Sequence, residues 1–240
     1  MSFKNILRKE FVNGLSWKDW GWLILGLAMQ TAATVYGQIT GNPEPVIVTV
    51  CAYLGVFTVV MCAQGKIAYN IFNFAQMITY VVGVSIPQKL YGESIEYAFY
   101  FITALWGLYV WLVRYRQTTD TKSTEVKARY LGKTGWSILG LYLVIGTLVM
   151  TVVLRRTDDP APFMDAVSTI PAFAAQILMC GAWREQWLCW LIIDVASVIM
   201  FAMLGSWMMV AMFLFWTLNC VYGWVKWTKS TNKSYERING

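Results

Sequence analysis

An all-α, polytopic membrane bundle of about eight transmembrane helices is the fold this sequence predicts, and three features carry that prediction. Hydrophobic residues fill 58% of the 240 positions and charged residues only 13%, about half the share, about 25%, found in a soluble domain. The apolar residues come in successive blocks of about 20, the length a helix needs to cross a hydrocarbon core about 30 Å thick. The lysines and arginines fall unevenly between alternate connections. Little is left over for a soluble domain, so residues 19–228 read as one transmembrane domain.

Ahead of it, residues 1–18 are charged throughout and lack an apolar run, which speaks against a cleavable signal peptide. Phe3, Ile6, Leu7 and Phe11 recur at helical spacing with Lys4, Arg8 and Lys9 between them, the pattern of an amphipathic segment in the cytoplasmic interface; a frayed polar tail is the alternative. Helix 1 is expected over 19–40 and helix 2 over 45–64, parted by Gly41-Asn42-Pro43. Helix 3 (67–86) ends at Pro87, and helix 4 (94–114) starts after Tyr91-Gly92-Glu93. The polar stretch 115–133 leads to helix 5 (134–154). Asp158-Asp159-Pro160 precedes helix 6 (162–181), helix 7 follows at 185–204, and Gly205-Ser206 precedes helix 8 (207–227). Residues 229–240 remain as a cytoplasmic tail.

Charge placement tests the helix count. With the N-terminus inside, the inner segments hold Lys4, Arg8, Lys9, Lys18, Lys66, Arg114, Arg116, Lys122, Lys127, Arg129, Lys133, Arg184, Lys226, Lys229, Lys233 and Arg237, and the outer segments only Lys89, Arg155 and Arg156. Such a bias fits an even number of spans with both termini in the cytoplasm. It also accounts for the net charge of +6 without a nucleic-acid partner.

The chain repeats itself. A shift of 118 positions lays Met61-Cys62 on Met179-Cys180, Lys66 on Arg184, Tyr69 on Trp187, Phe72 on Trp190 and Gln76 on Asp194. With a two-residue gap, Tyr100 falls on Trp216 and Gly107-xxx-Trp111 on Gly223-xxx-Trp227. Two three-helix units follow, 45–114 and 162–227, joined by the linker helix 134–154 and preceded by one extra helix. An odd-length unit followed by a single linker gives parallel repeats, which meet at a central cavity near the midplane where a solute can be held.

Polar groups at membrane depth are costly, so each is a candidate for that cavity. Asn70, Asn73 and Gln76 lie three apart on helix 3, flanked by Tyr69 and Phe72. Helix 7 carries Trp187, Trp190 and Asp194 at helical spacing. Gln176, Tyr100 and Asn219 add one polar or aromatic group each from helices 6, 4 and 8. The competing reading is that such groups hold the bundle together by interhelical hydrogen bonds. Two indoles on one face stack on a flat ring, and a cationic ring gains a cation–π attraction as well. An aromatic belt at the membrane boundary explains Trp17, Trp20, Trp22, Trp136, Trp207, Trp224 and Trp227, and remains the alternative for Trp187 and Trp190.

Other chemistry lacks its parts. The chain has no histidine, no Gly-rich phosphate loop and no metal or nucleophile motif, so neither catalysis nor ATP-driven pumping is expected, nor any cofactor. The cysteines Cys51, Cys62, Cys180, Cys189 and Cys220 all fall inside apolar blocks and read as small buried residues. Asp194 is the one clear midspan carboxylate, so ion coupling has little to work with and passive movement is the simpler reading.

The stretches Trp187-Leu-Cys-Trp190, Asn70-Ile-Phe-Asn73-Phe-Ala-Gln76, Lys89-Leu-Tyr-Gly and Gln176-Ile-Leu-Met-Cys, with the two Gly-xxx-Trp ends, resemble the PnuC family of bacterial vitamin transporters, its nicotinamide riboside carriers in particular. The resemblance spans about residues 20–228. It implies a three-plus-one-plus-three core similar to that of the SWEET sugar transporters, behind an extra helix. It also implies a homotrimer in the lipid of the inner membrane and facilitated diffusion, with the solute trapped by a separate cytoplasmic kinase. Nicotinamide riboside would then meet Trp187 and Trp190 with its pyridinium, Asn73 and Gln76 with its amide or hydroxyls, and Asp194 with its charge or a hydroxyl. Thiamine or riboflavin, a sugar, or a membrane sensor that transports nothing are the alternatives.

Overall fold

The computed structural model describes residues 15–88, 91–117, 127–156 and 162–239, and these form eight helices. They are α1 (Trp17–Ile39), α2 (Val46–Ala63), α3 (Tyr69–Tyr80), α4 (Tyr91–Gln117), α5 (Lys133–Leu154), α6 (Pro162–Cys180), α7 (Gln186–Met203) and α8 (Trp207–Asn239). The expected amphipathic segment lies almost wholly in residues 1–14, outside the described residues, as does Lys89. Helices α2, α4, α5, α7 and α8 are long and apolar enough to cross a membrane, and α6 holds a shorter apolar helix, Asp165–Cys180. Helix α1 has 23 residues, but its glutamines, threonines and charged first turn dilute its apolar character.

Local chemistry sets the ends. Ser16 caps α1 by a reciprocal box: its hydroxyl accepts from Asp19 N at 3.3 Å, while the Asp19 carboxylate accepts from Ser16 N at 2.8 Å. Helices α1, α2 and α7 stop at Gly41, Gly65 and Gly205, all with positive φ, the left-handed closure that only glycine takes without strain. Two boundaries differ from expectation. The last part of helix 3 widens into a π-helical turn, Val81–Ser85, and α8 runs unbroken to Asn239 through the segment expected as a tail.

Packing arranges the helices as a closed ring. α2, α3, α4, α6, α7 and α8 each lie against the next, and α8 returns to α2. α1 sits outside against α2 and α8, and α5 lies against α6 alone among the described helices. The segment before α5 is pinned under the α6–α7 turn, where Arg129 N donates to Ala182 O (2.8 Å) and Arg184 N to Arg129 O (2.9 Å). Five of the six ring helices, α2, α3, α4, α7 and α8, pass through two packed layers, and α6 joins the first through Met179. One gathers Met61, Tyr69, Trp111, Trp187 and Trp227; the other gathers Val48, Tyr80, Phe201, Met208 and Met212. On α3 the order Tyr69, then Asn73 and Gln76, then Tyr80 shows polar residues held between the layers.

Candidate functional site

Between the layers lies a cavity lined from all six ring helices. At about 70 Å³ it is contracted, since small-molecule sites usually enclose about 300–1,000 Å³. Helix α7 supplies Trp187, Trp190 and Asp194 along one stripe, because positions three and four apart share a face. Trp190 meets Tyr100 edge-on (5.8 Å, 75°) and Trp187 meets Trp227 edge-on (5.5 Å, 87°). Trp187 fits only because residue 223 is glycine: a Cβ there would lie 2.5 Å from the indole.

Asp194 is 2% exposed. Its carboxylate accepts from Cys220 Sγ at 3.2 Å, and no lysine or arginine among the described residues forms an ion pair with it. An ionised carboxylate in so dry a place calls for a cation or further donors. Donors are at hand in the same walls. The side-chain nitrogens of Asn73, Trp187 and Trp216, and both polar atoms of Gln186, are buried without a hydrogen-bond partner among the described residues. Such orphaned groups are uncommon and point to a polar occupant.

Eight of the residues singled out in the sequence line this cavity: Asn73, Gln76, Tyr100, Gln176, Trp187, Trp190, Asp194 and Asn219. Two of them are also committed to the bundle. Asn219 Nδ2 donates to Val59 O (3.0 Å) while its Oδ1 accepts from Trp22 Nε1 (2.9 Å), and Gln176 Nε2 donates to Tyr100 O (3.1 Å) and Thr103 Oγ1 (3.0 Å). Gln76 faces Cys51 Sγ at 3.7 Å. Tyr69, Asn70 and Phe72 lie away from the cavity. Tyr69 packs on Trp111 (4.5 Å), Phe72 stacks on Phe57 (5.0 Å), and Asn70 Nδ2 closes the first turn of α3 onto Ile67 O (3.1 Å). A three-residue step falls about 60° short of a full turn, so over two steps the Asn70–Asn73–Gln76 stripe rotates Asn70 out of the face that carries Gln76.

The structure adds Tyr97, Gln186, Trp216, Cys62, Cys220 and Met77 to the walls. Trp216 had a signal in the sequence, its coincidence with Tyr100 under the repeat shift. Gln186 is adjacent to Trp187 but looks like a helix-start residue, and the methionine and cysteines look like ordinary core.

The model of the nicotinamide mononucleotide transporter family matches residues 45–229. The chain belongs to that family. Among curated relatives, the nicotinamide riboside transporter PnuC of Haemophilus influenzae is 28% identical over 229 residues, covering 95% of this chain and 97% of the relative. The protein of the same name from Neisseria mucosa is 26% identical over 231 residues, 92% of this chain and 85% of the relative. A solved structure, the crystal structure of the vitamin B3 transporter PnuC, superposes with a TM-score of 0.80 at 26% identity, covering 97% of this chain and 99% of the other. Its membership and its apolar helices make this chain a multi-pass membrane transporter.

Proposed function

We propose that the chain carries nicotinamide riboside across the bacterial inner membrane by facilitated diffusion. The observation that carries this is the placement of Asp194, a buried carboxylate without a cationic partner, on the same cavity wall as Trp187 and Trp190. A pyridinium between the indoles brings the missing charge and gains a cation–π attraction of about 0.5–2 kcal/mol. The orphaned groups of Asn73, Gln186 and Trp216 suit a carboxamide and ribose hydroxyls, and Gln76 and Tyr100 stand beside them. The names of the relatives point to the same solute.

The wider arrangement belongs to the proposal too. The six-helix ring is two parallel three-helix repeats, α2–α4 and α6–α8, with α5 as linker and α1 as the added helix, in the manner of the SWEET carriers. Both termini are cytoplasmic, the assembly is a homotrimer in lipid, and a separate cytoplasmic kinase traps the solute. Support comes from the charge bias and from the positions of α1 and α5 outside the ring.

Calorimetric titration of the purified protein in detergent with nicotinamide riboside, beside thiamine, riboflavin and glucose, tests the substrate. Saturable binding of nicotinamide riboside alone, lost in Trp190→Ala, is the expected result. Binding of thiamine or riboflavin instead would reassign the solute, and binding of glucose would remove the need for Asp194.

A further inference from the structure

The ring has two seams, where α4 of one half meets α6 of the other and where α8 meets α2. At one and the same end of the bundle, a buried tryptophan crosses each seam. Trp111, from α4, donates its indole N–H to Met179 O in the last turn of α6 at 3.1 Å. Trp227, from α8, donates to Ala63 O, the last residue of α2, also at 3.1 Å. Carbonyls of a last helical turn lack the full set of intrahelical donors: the Trp227 indole supplies a donor to Ala63 O, and the Trp111 indole adds a second one to Met179 O, which also accepts from Ala182 N at 3.0 Å. The two rings meet each other 6.2 Å apart, and Trp227 also abuts Trp187 of the cavity wall. Both tryptophans are essentially buried, at 0% and 4% exposure.

A glycine stands four residues before each tryptophan; Gly107 allows close approach across the α4–α6 seam, and Gly223 makes room for Trp187 of α7, against which Trp227 packs. A Cβ at Gly107 would meet Cys180 Sγ at 2.8 Å, and one at Gly223 would meet the Trp187 ring at 2.5 Å. Each Gly-xxx-Trp segment thus packs closely at its glycine, α4 on α6 and α8 on α7, and reaches across a seam with its tryptophan.

We propose that Trp111 and Trp227 form a reciprocal clasp that is the gate of the cavity at this end, which the charge bias assigns to the cytoplasm. The inference rests on the reading of the cavity as the solute site. The two halves cannot part here without breaking both indole bonds, one on each seam. Because the cavity is contracted, loading or release at this end requires that parting. Trp187 couples the two events. An occupant that moves its indole presses on Trp227, so the solute and the clasp share one aromatic contact.

Two native cysteines report the outcome. Cys62 and Cys220 line the cavity next to the clasp and are buried. The protein is reconstituted in liposomes and exposed, from the cytoplasmic face or from the opposite face, to a charged membrane-impermeant methanethiosulfonate, and modification of the two thiols is followed by mass spectrometry. Trp111→Phe and Trp227→Phe keep an aromatic ring and delete the N–H. Each is expected to raise the cytoplasmic-face rate about fivefold, and together about 25-fold, from the usual worth of one neutral hydrogen bond. If the double variant does not fold, the two single variants carry the test. Unchanged rates, or equal rises from both faces, would overturn the gate. Absence of nicotinamide riboside binding in the unaltered protein would instead overturn the solute reading, and the thiol rates would stand as they are.

Discussion

At the scale of single residues, the wall of the cavity brings together polar groups that lipid would not tolerate singly. Asp194 has one weak donor, Cys220. Asp194→Asn keeps its size and removes its charge. Affinity for nicotinamide riboside should fall about 10- to 100-fold, the range for hydrogen bonds to charged groups. Affinity for the reduced, uncharged dihydronicotinamide riboside should hardly change. Calorimetry on both solutes separates these outcomes, and equal losses would mean that Asp194 does not read charge. Gly223 offers a second test. Its substitution by alanine drives a Cβ into the Trp187 indole, an overpacking worth about 1–3 kcal/mol. A lower melting temperature together with a raised KM is expected; a raised KM shows that the indole is displaced from the cavity. Residue chemistry was partly legible in advance. Trp187, Trp190 and Asp194 are conspicuous because their spacing and their membrane depth are both unusual. Gln186 was not, since a polar residue at a helix start has an ordinary explanation, and Trp216, one tryptophan among thirteen, was marked only by its coincidence with Tyr100 under the repeat shift.

At the scale of helices, the bonds that join elements explain why some polar residues are present at all. Asn219 ties three helices together by giving to Val59 O on α2 and accepting from Trp22 on α1. Asp19, 4% exposed, caps α1 and also accepts from Tyr222 and from Lys226 (3.3 Å) on α8. Asp19→Ala removes the Asp19 half of the capping box, worth up to about 1 kcal/mol, and leaves both α8 groups without this acceptor. Hydrogen exchange over the first turns of α1 should quicken while KM for nicotinamide riboside stays within about twofold, because α1 lies outside the ring and a surface-helix cap couples weakly to distant sites. A large rise in KM would give α1 a part in the cavity. Helix existence and order follow from the apolar blocks, and apart from the end of α8 the expected boundaries lie within a few residues of those observed. The π-turn at Val81–Ser85 was not legible because it depends on a neighbour, Ser85 sharing a hydrogen bond with Ser94 of α4 at 2.9 Å; the run of α8 past residue 227 was missed because the helix was ended with the apolar block although no stop signal follows it.

At the scale of the whole molecule, six helices close around one cavity and two lie outside it, so solute binding should stabilise the ring as a unit. Nicotinamide riboside at about 100 times its Kd should add about 2.7 kcal/mol to the stability of the folded protein. The melting temperature should rise with concentration, and Trp190→Ala should abolish the rise. A rise that survives that substitution would place the solute elsewhere. The sequence by itself determined that this is an all-α membrane protein, the order of its helices and the tryptophan–aspartate stripe of α7. These follow from composition and helical spacing, which act locally along the chain. Only the tertiary structure decided which polar residues share the cavity, that Tyr69, Asn70 and Phe72 stand outside it, and that Trp111 and Trp227 donate to the last turns of α6 and α2. A side chain's direction relative to a distant helix depends on rotations accumulated along two helices and on the angle at which they pack, and neither is written in the spacing of one segment.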